Sequence, residues 1–95
     1  RKFVVTPGMI ELGEREALEN GLFGESMAKA ADVVFLIGPR HTRPIYEGLE
    51  RAGFAMEQVF VVKSLAEASA QMGRMLKPGD VVLFENDLPD NYNEE

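Results

Sequence analysis

The chain has no cysteine and no tryptophan among its 95 residues. Without cysteine there is no disulfide, no thiolate metal site and no Cys nucleophile, and the composition suits a reducing compartment. A lone histidine, with no second His or Cys to join it, argues against a structural metal, and no G-x-S-x-G elbow accompanies it to build a catalytic triad. Basic residues are few: 10 Lys and Arg stand against 16 Asp and Glu, a net charge of -6. That balance leaves no basic stripe to neutralise phosphates, and aromatics at 8% are too scattered for a stacking platform, so nucleic acid is not an expected partner. The longest apolar run is Val33 to Ile37, far short of the roughly 18 to 20 residues that cross a bilayer, so no membrane association is expected. No charged segment followed by an apolar one marks a signal peptide; the chain begins without Met, which leaves an upstream leader open.

What is present is ordinary for a folded α/β protein. The apolar fraction of 45% and charged fraction of 27% match globular averages, and the length allows one modest core. Four short runs rich in β-branched and aromatic residues, at 2–6, 32–37, 58–62 and 80–84, are nearly continuous apolar strings, the pattern of strands covered on both faces. Helical spacing lies between them. Residues 14–31 place Leu18, Leu22 and Met27 near one face, 42–52 align Ile45, Leu49 and Ala52, and 64–76 align Leu65, Ala68 and Met72 with Met75 or Leu76. Ser64 with Glu67 forms a capping-box pattern, Gly53 is a C-cap candidate, and Lys77-Pro78-Gly79-Asp80 is a turn. Gly21 and Gly24 each cost about 1 kcal/mol in a helix relative to Ala, so they signal a break or a close helix-to-sheet contact.

The order β-α-β-α-β-α-β predicts a Rossmann-like three-layer sandwich with a mainly parallel sheet. The first strand starts almost at residue 1, where a natural terminus usually carries loose residues, so the chain is expected to be a single unit cut from a larger enzyme. In such sheets ligands bind beyond the carboxyl ends of the strands, which selects three loops. The first, Thr6 to Glu14, carries Glu11 between Gly8 and Gly13; it is either a ligand-facing loop or a plain strand-to-helix turn with Met9 and Leu12 as core plugs. It lacks both G-x-G-x-x-G and G-x-x-x-x-G-K-[ST], so no phosphate fingerprint is present. The second, Gly38 to Pro44, gathers Arg40, His41, Thr42 and Arg43 ahead of a helix, either as an anion site or as a solvated capping loop. In the third, Glu85, Asn86 and Asp87 offer acceptors to an amine or to Mg²⁺, or begin a solvated tail. No nucleophile, base and orienting group assemble from these pieces, so no catalytic residue is assigned.

In sequence order, the chain resembles the C-terminal domain of the Mur ligases. Gly8-Met9-Ile10-Glu11-Leu12-Gly13-Glu14 is similar to that family's GDM-x-ELGE stretch. A strand ending in Gly38, the Ile45-Tyr46-Glu47-Gly48-Leu49 helix, Lys63-Ser64-Leu65-Ala66-Glu67-Ala68, and Leu76-Lys77-Pro78-Gly79-Asp80-Val81-Val82-Leu83 follow in the same order. The resemblance implies a cytoplasmic, three-domain, ATP-dependent amide ligase of peptidoglycan synthesis that works through an acyl phosphate with Mg²⁺. It lies nearest to the members that join D-alanyl-D-alanine to a UDP-N-acetylmuramoyl peptide. The chain would then be the later part of a Rossmann-like lid, inactive alone, with ATP and Mg²⁺ held mainly by the ligase's other domains. Two departures stand out. Pro7-Gly8-Met9 lacks the family's Asp, and Glu85-Asn86-Asp87-Leu88-Pro89-Asp90-Asn91-Tyr92 replaces a Lys-Gly-Ser loop that contacts the acceptor in relatives. The resemblance and the three loops together make Glu11, Arg40, His41, Thr42, Glu85, Asn86 and Asp87 the candidate substrate-binding residues. The competing expectation is a non-catalytic, regulatory α/β module that binds an anion at Arg40 and Arg43.

Overall fold

The computed structural model describes residues 1–9 and 13–85. Four strands, β1 (Lys2–Thr6), β2 (Val33–Ile37), β3 (Val59–Val62) and β4 (Val81–Phe84), form one sheet in the order β3-β2-β1-β4. Every pairing is parallel, with Val4 opposite Val34 and Leu83, and Phe35 opposite Phe60. Helices α1 (Glu16–Met27), α2 (Arg43–Arg51) and α3 (Leu65–Gly73) connect them, with 3-10 turns at Gly13–Arg15 and Met56–Gln58. The result is the three-layer, Rossmann-like sandwich that the alternation predicts.

The sheet divides the core in two because successive strand residues point to opposite faces. On one face Phe3, Val5, Val33, Phe35 and Ile37 pack with Val62 and with Ala68 and Met72 of α3. Phe35 stacks on Phe60 with ring centroids 4.9 Å apart, a contact worth about 0.5 to 1.5 kcal/mol beyond area burial. On the other face Val4, Val34 and Leu36 meet Met27 of α1 and Ile45 and Leu49 of α2. The Ser64 hydroxyl accepts a hydrogen bond from the Glu67 amide at 3.1 Å, the cap that the sequence predicts for α3.

Four expectations change. The two central strands are buried on both faces, but β4 is an edge whose Val81, Leu83 and Phe84 are 58%, 44% and 57% exposed. Three helices cannot cover four strands twice, and the α1 and α2 cluster takes residues from β1, β2 and β3 only. The first helix is shorter than 14–31, and Leu18 and Leu22 lie on its outer side, 64% and 51% exposed. Its inner side is Asn20, Gly21, Gly24 and Met27. The glycines mark neither a break nor a helix-to-sheet contact but a backbone contact between helices. A Cβ on Gly24 would strike the Ile45 carbonyl oxygen, and one on Gly48 the Gly21 carbonyl oxygen. Ala52 and Leu76 lie exposed beyond the ends of α2 and α3, and of the pair Met75 or Leu76 it is Met75 that packs against the core.

Candidate functional site

Because all four strands run the same way, the loops that follow them open on one rim. The chain steps from β1 outward to β2 and β3, then returns to place β4 on the other side of β1. The direction of winding therefore reverses between β1 and β4, the point at which open α/β sheets form a crevice. At that point the Glu85 amide extends the ladder by donating to the Val5 carbonyl at 2.9 Å, which seats half-buried Glu85 beside the end of β1.

The loop leaving β1 is built with care. The Thr6 hydroxyl accepts from the Gly8 amide at 3.0 Å. Gly8 has φ +78°, and a Cβ there would lie 2.8 Å from the Ile45 Cδ1, so glycine alone fits without strain. Asn20 reaches up from α1 and grips Met9 twice, its Oδ1 accepting from the Met9 amide at 2.7 Å and its Nδ2 donating to the Met9 carbonyl at 2.9 Å.

The loop leaving β2 begins at Gly38, with φ +92° and an amide donating to the Val62 carbonyl at 2.8 Å. Buried Thr42 folds the loop back, donating through both its amide (3.0 Å) and its hydroxyl (2.8 Å) to the Gly38 carbonyl. The hydroxyl proton is thus spent inside the loop, and Thr42 serves to shape it. Arg40 and His41 are exposed on that loop. His41 Nδ1 lies 3.9 Å from Glu16 Oε2, which ties the second loop to the first turn of α1. Arg43 sits 3.5 Å from Glu47 and 5.6 Å over the Tyr46 ring. Beside it a groove of about 290 Å³ is lined by Pro39, Thr42, Arg43, Tyr46 and Val61.

Among the described residues, the polar residues buried as a whole are Thr6, Asn20 and Thr42, and each holds one of these two loops. Sequence reasoning singled out Thr42 and missed the other two. An Asn inside a helix, a weak helix former beside a Gly, was the available signal for Asn20. Of the candidate residues, Arg40, His41, Thr42 and Glu85 come to the common rim, whereas Glu11, Asn86 and Asp87 lie outside the described residues.

A parallel α/β sheet with a winding reversal beside β1, and with the buried polar residues among those described spent on the rim loops, defines a Rossmann-like domain. The sequence model of the family described as "Mur ligase, glutamate ligase domain" matches residues 1–85, and the chain belongs to that family. We found no match among curated proteins or solved structures. Membership makes the chain a domain of an ATP-dependent amide ligase of peptidoglycan precursor assembly, a family that acts on UDP-muramoyl peptides.

The described part of the first loop offers no free amide at Gly8 or Met9 to a phosphate. Gly8 and Met9 give their amides to Thr6 and Asn20 rather than to the crevice. No group of three or more His, Asp or Glu among the described residues is placed to hold a metal. No helix among them is long and apolar enough to cross a membrane.

Proposed function

We propose that the chain is the later part of the C-terminal lid of a cytoplasmic Mur-type ligase that adds D-alanyl-D-alanine to a UDP-N-acetylmuramoyl peptide. The observation that carries this reading is the family match over residues 1–85. The choice of acceptor rests on the ordered motifs, from Gly8-Met9 with Glu11-Leu12-Gly13-Glu14 through Leu76-Lys77-Pro78-Gly79-Asp80. In this reading Glu85, Arg40 and His41 line the crevice with Glu11, Asn86 and Asp87, and Thr42 shapes the second loop. ATP and Mg²⁺ are held mainly by the ligase's other domains, consistent with the spent amides of the first loop. The lid contributes by closure, which positions reactants and excludes water, and not by acid or base chemistry of its own.

The test is phosphate release by the full-length protein given ATP, Mg²⁺, UDP-muramoyl tripeptide and an acceptor. Release with D-alanyl-D-alanine and not with single amino acids is the expected result. Release with a single amino acid and an earlier UDP-muramoyl intermediate assigns the chain to a sister ligase. Binding of an anion to the full-length protein without phosphate release under any combination supports the regulatory module instead. That module has less support, because Arg43 is engaged by Glu47 and Tyr46.

A further inference from the structure

Asn20 is fully buried on α1, in the layer that packs Met27, Ile45 and Leu49 against the sheet. A buried amide costs stability unless both its ends find partners, and here both do, on the same residue. Met9 directly follows Gly8, whose left-handed backbone turns the chain away from β1. Among the described residues before this helix, the other buried polar side chain, Thr6, fixes Gly8 itself. Two buried polar side chains are thus spent on two consecutive residues of one rim loop.

We propose that Asn20 is a positioning residue for the crevice: by clamping Met9 at both its amide and its carbonyl, it fixes how residues 7–9 leave β1 towards the rim where substrates bind. The kinetic form of this claim rests on the ligase reading; the structural form does not. Asn20→Leu keeps the branched shape and removes both hydrogen bonds. Asn20→Asp keeps the acceptor for the Met9 amide but sets a second carboxylate oxygen against the Met9 carbonyl. Protonation of that carboxyl restores a donor, and burial favours the neutral acid.

In the full-length ligase, N20L should lower kcat/KM on the order of tenfold or more while the folded fraction at the assay temperature stays at the wild-type level. N20D should resemble N20L at about pH 8.5 and recover towards wild type at about pH 6, relative to the wild-type rate at each pH. A role confined to stability would shift the melting temperature and leave both the kinetic constants and the pH profile alone. Unchanged constants in N20L, or an N20D profile parallel to wild type, overturn the proposal; if N20L does not fold, N20D decides. If the wild-type protein shows no ligase activity, the ligase reading fails. The clamp is then read from amide hydrogen exchange at Met9, slow in the wild type and in N20D, which keeps its acceptor, and markedly faster in N20L, which removes it. Equal exchange overturns it.

Discussion

Asp80 shows how a single carboxylate ties the two ends of the chain's path together. Arg1 donates to it through Nη2 at 2.8 Å and Nε at 3.3 Å, and the Lys77 amide donates at 2.8 Å. The Arg1 hydrogen bond first, and the Lys77 amide second, hold the Asp80 carboxyl well below the usual carboxylate range. A carboxyl depressed on folding binds fewer protons in the folded state. Its contribution is therefore complete above the unfolded value of about 3.9 and fades as the pH falls towards the folded value. Asp80→Asn should lower stability at neutral pH, and the gap from wild type should close progressively below about pH 4, measured by urea unfolding. A gap that stays constant with pH would contradict this account. The sequence showed Lys77 to Asp80 as a turn, but nothing in residue types alone could bring Arg1 to it, because that contact exists only once β4 pairs with β1.

Helix packing is the level at which the sequence was least readable. Periodicity located α2 and α3 because their buried rows, Ile45 with Leu49 and Ala68 with Met72, are apolar at helical spacing. It misplaced the buried side of α1, because that side is made of Asn20, Gly21 and Gly24, which carry little or no apolar weight, while Leu18 and Leu22 face outward. Backbone contact between helices needs small residues, and small residues are silent in a hydrophobic pattern. Gly24→Ala tests this: the helix preference gained, about 1 kcal/mol, is outweighed by collision with the Ile45 carbonyl, and overpacking of this kind costs roughly 1 to 3 kcal/mol. Gly73→Ala, at the end of α3 with nothing within 4 Å of the added methyl, should be neutral or stabilising. Thermal melts of the two variants should therefore move in opposite directions, or one down and one not at all. A raised melting temperature for G24A would mean that α1 and α2 do not meet as described.

Across the whole molecule, the architecture was legible because each parallel strand with its crossover helix has a characteristic length and punctuation, here Gly38, Gly53 and Gly79 at positive φ. The sheet order was not, since four parallel strands admit several orders and only the pairing of β4 with β1 decides where the crevice lies. Selecting the loops at the carboxyl ends nonetheless brought Arg40, His41, Thr42 and Glu85 to one rim, while the clamps that hold that rim, Thr6 and Asn20, went unseen. The rim at the opposite end carries Asp32, whose carboxylate accepts from the Lys2 amide at 2.7 Å, and the Arg1 to Asp80 pair. Hydrogen exchange of the full-length ligase, with and without nucleotide, UDP-muramoyl peptide and acceptor, separates the two ends directly. Added protection in the peptides that contain Met9, residues 38–42 and Glu85, with none around Asp32 and residues 77–80, is the predicted result. Protection confined to the Asp32 and Asp80 end would contradict a crevice at the carboxyl edge of the sheet.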